Sequence, residues 1–274
     1  MGSPKIKSLV IAALVLLNVV FLTVIIADNY TDAQSLREAV ENACTILQLS
    51  GISINPDDVR TGSEIRTMRT SRVRETEEVI AYAVLGASTL IDQSVIYIYE
   101  NPERGTVEFY SAGVFEIRLN EGVITSEGGV LSTAQNLLRD MKLDTTIYTS
   151  APGSQRYEVT FLCRYRDASI FNCSIELTFE NGSLLMIRGR YVPGIEPMEN
   201  GTELSQVGTA LLGFLAAVKR GDITCERIYR VEAGYLHRVV GPFGEGVLTP
   251  AWMFDTDTGR YITDVETGET RPAT

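Results

Sequence analysis

Histidine is almost absent from this chain, because His237 is the only one among 274 residues. A Ser-His-Asp or Cys-His catalytic arrangement would have to use it, and no GxSxG sequence supplies a nucleophile elbow. A single histidine also excludes HExxH metal chemistry. The sequence around His237 favours a structural position in a strand or turn. These shortages argue against an enzyme, although a carboxylate pair in an anchored hydrolase stays open as an alternative.

Basic residues are too few to balance the acids. The chain has 24 Lys and Arg against 35 Asp and Glu, a formal net charge of −11. This balance argues against nucleic-acid binding by the body of the protein. Glycine-rich phosphate loops and a complete calcium loop are missing as well, since the dense acids near Asp255 and Asp257 fit hairpin turns better. No cofactor is therefore expected.

Cysteine is scarce for a disulfide scaffold. The four residues, Cys44, Cys163, Cys173 and Cys225, form no CxxC or Cys/His cluster that would suggest a metal site. In an oxidising compartment they allow three pairings, which the sequence does not decide. Cys163 and Cys173 are the favoured pair for a disulfide, because the segments around them read as a hairpin. Free structural thiols are the alternative.

One long apolar run is present, from Leu9 to Ala27. Its 19 uncharged residues would span roughly 29 Å as a helix, close to the hydrocarbon thickness of a bilayer. Lys5 and Lys7 precede the run and Asp28 follows it, which predicts a cytoplasmic N-terminus. We therefore expect a single-pass protein of the cell membrane, with its C-terminal domain extracellular. A cleaved signal peptide is the alternative.

Asn18 lies near the middle of this run. An amide at that depth needs a hydrogen-bond partner, and such bonds between helices help to fix which helices meet. Asn18 is therefore a candidate contact with a partner in the membrane. Bonding to its own helix backbone is the alternative.

Three helices are predicted in the remaining chain. The first runs from Asp32 to Leu49, with Thr31 and Gln34 at capping-box spacing, and the second begins near Ser132, which has the same spacing to Gln135. The third carries apolar residues from Leu204 to Val218 and ends at Gly221. Strands are predicted at Glu78 to Leu85, Ser94 to Tyr99, Gly105 to Ser111, Val114 to Leu119, Thr145 to Thr149, Arg156 to Tyr165, Phe171 to Phe179, Ser183 to Tyr191, Arg227 to Val231, Val247 to Phe254 and Arg260 to Asp264.

The order of these elements predicts an α+β fold. A cytoplasmic tail at 1–8 and a single N-terminal transmembrane helix at 9–27 would precede repeated helix-plus-antiparallel-sheet (PepSY-like) modules at 29–126 and 127–274. Asn181-Gly182 predicts a tight hairpin, because both residues tolerate positive φ.

Four arginines, Arg66, Arg69, Arg72 and Arg74, are followed closely by Glu75, Glu77 and Glu78. Such a cluster could meet lipid headgroups or an acidic wall polymer. The simpler interpretation is a solvated face whose arginines pair with the neighbouring acids.

The ends of the chain resemble the YycI family, the membrane-anchored regulators of the YycFG (WalRK) two-component system of Gram-positive bacteria. The resemblance rests on Lys5-Ile6-Lys7 with Leu17-Asn18 in the following apolar run, and on Pro250-Ala251-Trp252, Asp257-Thr258-Gly259-Arg260-Tyr261 and Thr267-Gly268-Glu269. The start Met1-Gly2-Ser3 departs from the Met-Asp-Trp that is frequent in the family.

This resemblance implies a protein that is not an enzyme. With a YycH-like protein, it would contact a sensor histidine kinase of the YycG (WalK) type through membrane helices and the extracytoplasmic domain, and adjust a kinase that controls cell-wall metabolism. A second hypothesis is a surface-anchored PepSY-like module that binds a peptide, a protease or a wall fragment in a groove or at a sheet edge.

Overall fold

The computed structural model describes residues 34–60, 65–153, 155–241 and 245–273. Over these residues the fold is a mixed α+β structure that consists mostly of sheet. The stretch from Leu9 to Ala27, and Asn18 within it, lie outside them. Among the described residues, no helix is long and apolar enough to cross a membrane.

Among the described residues there are four α-helices: α1 at 34–49, α2 at Arg74–Leu85, α3 at Val130–Asp140 and α4 at Val207–Arg220. The strands are β1 Val59–Arg60, β2 Met68–Thr70, β3 Thr89–Gln93, β4 Ile96–Asn101, β5 Gly105–Phe109, β6 Val114–Leu119, β7 Thr145–Pro152, β8 Arg156–Tyr165, β9 Ala168–Glu180, β10 Ser183–Arg190, β11 Glu196–Pro197, β12 Ile228–Val239, β13 Gly246–Thr256, β14 Gly259–Asp264 and β15 Thr270–Pro272.

Helix α2 corrects the prediction of a strand at Glu78 to Leu85. Its buried positions are Glu77, Ile80, Ala81, Val84 and Leu85, which recur at i, i+3, i+4, i+7 and i+8. This spacing is that of the apolar face of a helix. A strand would have turned alternate members of the set to solvent, so burial against the sheet selects the helix.

Helix α3 has the predicted apolar stripe but a different start. Ala134, Leu137, Leu138 and Met141 are buried, as predicted. The helix begins at Val130, however, and the hydroxyl of Ser132 donates to the carbonyl oxygens of Gly128 and Gly129. Ser132 is therefore inside the first turn and is not the N-cap, so the capping-box prediction is wrong here.

The structure confirms the predicted end of helix α4 at Gly221 and the predicted Asn-Gly hairpin. Gly221 follows α4 in the left-handed region, with φ of 81°. Asn181 and Gly182 have φ of 49° and 80° and connect β9 to β10. In both places a residue that tolerates positive φ ends a helix or forms a hairpin turn.

Strand β9 joins two parts of the sheet. Strand β8 pairs along one edge of β9, so β10 and β12 share the other edge. Strand β12 is parallel to the start of β9, at Ser169 and Ile170, whereas β10 is antiparallel to its second half. Between them, the side-chain amide of Asn172 donates to the carbonyl of His237, and its oxygen accepts the amide N–H of His237, both at 2.8 Å.

Two large hydrophobic cores and one small cluster, around Leu236 and Met253, lie against this sheet in the described chain. The first packs α2 and α3 against β4, β5, β6, β8, β9 and β10. The second packs α1 and α4 against β12, β13 and β14, with the rings of Phe214 and Phe254 stacked 4.3 Å apart. Residues before and after position 126 share the first core, and the division into modules at 29–126 and 127–274 stays a prediction.

Candidate functional site

A polar groove of about 350 Å³ lies between the β12–β14 part of the sheet and the β7–β8 hairpin. Four arginines line it, together with three acids that are spaced among them. We call it the arginine groove, and define it by Arg60, Arg164, Arg230, Arg260, Asp167, Glu232 and Asp255.

Strand register places five of these seven charges in two rows on one wall. Arg230 of β12 is opposite Asp255 of β13, which is in turn opposite Arg260 of β14. In the next row, Arg60 of β1 is opposite Glu232 of β12. Because residues two apart on a strand share a face, Arg230 and Glu232 present both rows to the same side. The wall therefore alternates positive and negative side chains.

Two arginines of the groove form long ion pairs, and the other two form none with the described acids. Arg260 Nε is 3.7 Å from Asp255 Oδ1, and Arg164 Nη2 is 3.6 Å from Asp167 Oδ1. No acid among the described residues forms an ion pair with Arg60 or Arg230 within 4.0 Å. These guanidinium groups are thus available to an anionic ligand.

The opposite wall is formed by β7 and β8. Thr146, Ile147 and Tyr148 line the groove from β7, and the guanidinium of Arg260 lies over the Tyr148 ring at 4.3 Å. The electrons of an aromatic face attract a cation but do not neutralise its charge. This contact connects the two walls and fixes the direction of one arginine.

The chemistry of the groove is that of anion binding. A guanidinium offers planar, paired donors that match carboxylates and phosphates. The side chains that line the groove include no histidine or cysteine. Its arginines come from positions 60, 164, 230 and 260, so no local motif in the sequence indicated the site.

The predicted arginine cluster does not join this groove. Arg72 donates to Glu77, which is fully buried, with Nε 2.6 Å from Oε1. Arg74 pairs with Glu78 on the exposed side of α2, with Nε 3.4 Å from Oε1. Both arginines also lie over the ring of Tyr97. The local acidic partners are confirmed for these two residues, but the solvated face is wrong for Arg72, whose pair with Glu77 is largely buried.

Cys163 and Cys173 are both buried and have free thiols in the structure. The β8–β9 ladder pairs Leu162 with Ser174 and next pairs Arg164 with Ser169, so both cysteines lie where the register shifts. Burial raises the pKa of both thiols, that of Cys173 to about 12. Their pairing as a disulfide stays a prediction.

His237 is buried in β12, in agreement with a structural position. Its Nε2 lies 3.2 Å from the hydroxyl oxygen of Thr70, and its Nδ1 has no hydrogen-bond partner among the described residues. Burial, and then the positive charge of Arg190, lower its pKa to about 4. The ring is therefore neutral at physiological pH.

The acids near Asp257 form the predicted hairpin. Asp257 lies in the turn between β13 and β14, and its carboxylate accepts the backbone N–H groups of Glu226 and Arg227. No group of three or more metal-ligating side chains occurs in the described part of the chain. The turn thus explains the acids near Asp257.

Comparison with known proteins gives likenesses of fold only. An uncharacterized protein from Eubacterium rectale is similar with a TM-score of 0.49 and 8% identity, over 81% of this chain and 93% of that one. The Bacillus megaterium YpeB C-terminal domain is similar with a TM-score of 0.40 and 10% identity, over 75% and 99%. No family model and no curated protein matches. At these scores neither likeness decides the fold family.

Proposed function

We propose that this chain is a membrane-anchored extracytoplasmic binding protein that regulates a partner. The observation that carries the proposal is the arginine groove, whose Arg60 and Arg230 have no acidic partner among the described residues. A volume of about 350 Å³ is within the usual range for ligand sites. The apolar run from Leu9 to Ala27 supports the membrane anchor and the extracellular placement of the body.

The partner that the resemblance implies is a sensor histidine kinase of the YycG (WalK) type, together with a YycH-like protein. Regulation of this kind requires that the protein bind one state of the kinase more tightly than the other, since equal affinity shifts no population. The PepSY-like fold and membership of the YycI family belong to this same proposal.

Reconstitution tests the regulatory proposal. The full-length chain and the kinase would be placed together in lipid nanodiscs, and kinase autophosphorylation measured with and without the chain. We expect the rate to change several-fold, and Arg230→Glu/Arg260→Glu to reduce the change. Arg37→Glu, on an exposed arginine of α1 with one acidic neighbour, is the matched control. A rate that does not respond to the chain would refute regulation of this kinase.

Asn18 provides a separate test of the membrane contact. A hydrogen bond between membrane helices contributes about 0.6 to 2 kcal/mol. Asn18→Leu should therefore weaken the effect on the kinase roughly 3- to 30-fold at unchanged protein level, as measured by immunoblot and autophosphorylation. An unchanged effect would place the contact elsewhere.

A further inference from the structure

Strand β7 borders the arginine groove and has a free edge. Its eight residues, Thr145–Pro152, pair with β8 on one side, and no other described strand pairs with it. Successive side chains of a strand point to opposite faces. Thr146, Ile147 and Tyr148 nevertheless all line the groove, because the register of the β7–β8 pair shifts between Ile147 and Thr149. An open edge presents unpaired main-chain donors and acceptors to another strand.

The charges beside this edge favour spaced carboxylates. On the opposite wall, Arg230 and Arg260 flank Asp255, and Arg60 adjoins Glu232. An extended peptide directs every second side chain to the same face, about 6 to 7 Å apart. Acidic residues at alternate positions would therefore meet arginines, and the residues between them would turn away.

We infer that the arginine groove binds an extended acidic peptide segment, which adds to the free edge of β7 as a further strand. Main-chain hydrogen bonds to β7 hold the segment, and its carboxylates accept hydrogen bonds from Arg60, Arg164, Arg230 and Arg260. In strand addition of this type, main-chain hydrogen bonds provide the affinity, and contacts of alternate side chains provide the specificity. The inference rests on the proposed binding function and names the chemistry of the bound partner.

A densely charged polymer fits the groove less well. Asp167, Glu232 and Asp255 lie among the arginines and would repel a ligand that carries a negative charge at every repeat. A polyphosphate or an anionic wall polymer also has no main-chain N–H groups to pair with β7. The acids of the groove thus select a ligand whose charges are spaced.

The test uses the full-length chain and a fluorescein-labelled nonapeptide of alternating Glu and Thr, with binding followed by fluorescence anisotropy. Charge-assisted hydrogen bonds are about twice as strong as neutral ones, so Arg230→Gln/Arg260→Gln should weaken binding by about tenfold or more. Arg37→Gln is the matched control and should leave binding unchanged. Inorganic polyphosphate of equal charge should compete poorly with the peptide.

Peptides N-methylated at alternate residues separate strand addition from simple charge attraction. One of the two alternate sets of N–H groups faces β7, so methylation of that set should weaken binding about tenfold, and methylation of the other set should have little effect. Equal binding of both methylated peptides would overturn the inference, as would equal binding by the charge variant or stronger competition by polyphosphate. Kinase regulation that persists while the peptide fails to bind would refute this inference and leave the proposed function intact.

Discussion

The buried pair of Arg72 and Glu77 gives a sharp prediction for stability. Glu77 on α2 is fully buried, and it accepts hydrogen bonds from Arg72 at 2.6 and 3.2 Å and from the hydroxyl of Tyr191 at 3.2 Å. Arg72 also donates to the carbonyl oxygens of Val95 and Phe109. Glu77→Gln keeps the size of the side chain but leaves the Arg72 cation without its counter-charge.

Breaking a buried ion pair from one side costs about 3 to 5 kcal/mol. For a domain of roughly 150 to 250 residues, each kcal/mol shifts the melting temperature by about 2 to 4 °C. Glu77→Gln should therefore lower the melting temperature by roughly 6 to 20 °C, as measured by circular dichroism. Urea unfolding should show the same loss as a lower midpoint with an unchanged slope.

Glu78→Gln is the matched control, because Glu78 is the adjacent residue of the same helix and pairs with Arg74 on the surface. An exposed pair of this kind contributes about 1 kcal/mol or less. The double variant Arg72→Met/Glu77→Leu should be more stable than Glu77→Gln, since it leaves no isolated buried charge. Equal effects of Glu77→Gln and Glu78→Gln would refute the reasoning.

Three further predictions concern β9 and its neighbours. As pH falls from about 6.5 to the pKa of His237 at about 4, the unfolded chain gains a proton that the folded chain does not. The free energy of unfolding should fall by up to about 3 kcal/mol, and His237→Gln should remove that part of the dependence in urea titrations. Gly234→Ala should destabilise by about 1 to 3 kcal/mol, since a Cβ would lie 2.5 Å from the Ser169 carbonyl oxygen; a melting temperature equal to wild type would contradict this. Iodoacetamide at pH 8 should spare Cys163 and Cys173 in the folded chain and label them in urea; labelling of the folded chain would contradict their burial, and resistance in urea that reductant relieves would support a disulfide.

Turn and cap residues predicted several elements correctly, because such residues determine the backbone within a few positions of themselves. Asn181-Gly182 indicated a hairpin through its tolerance of positive φ, and Gly221 indicated the end of α4 in the same way. Helix α2 was missed because Val79, Ile80 and Val84 are residues with high strand propensity. The period of 3.6 residues that includes Glu77 would have identified the helix, but a charged residue at a buried position conceals that period.

The arginine groove could not be predicted from neighbouring residues in the sequence. Arg60, Arg164, Arg230 and Arg260 are separated by tens of residues, and only the strand register and the approach of β7 to β14 bring them to one groove. The sequence drew attention instead to Arg72 and Arg74, whose neighbouring acids satisfy them locally. The spacing of charges along a sequence is thus a poor guide where a sheet joins distant strands.

The second core joins the start of the described chain to its end. Helix α1 shares this core with residues such as Trp252 and Tyr261, about two hundred positions later. During synthesis β13 and β14 must therefore leave the ribosome before α1 meets these native neighbours. The second core is consequently complete only after β14 has been synthesised, whereas the strands of the first core from β4 to β10 can assemble earlier.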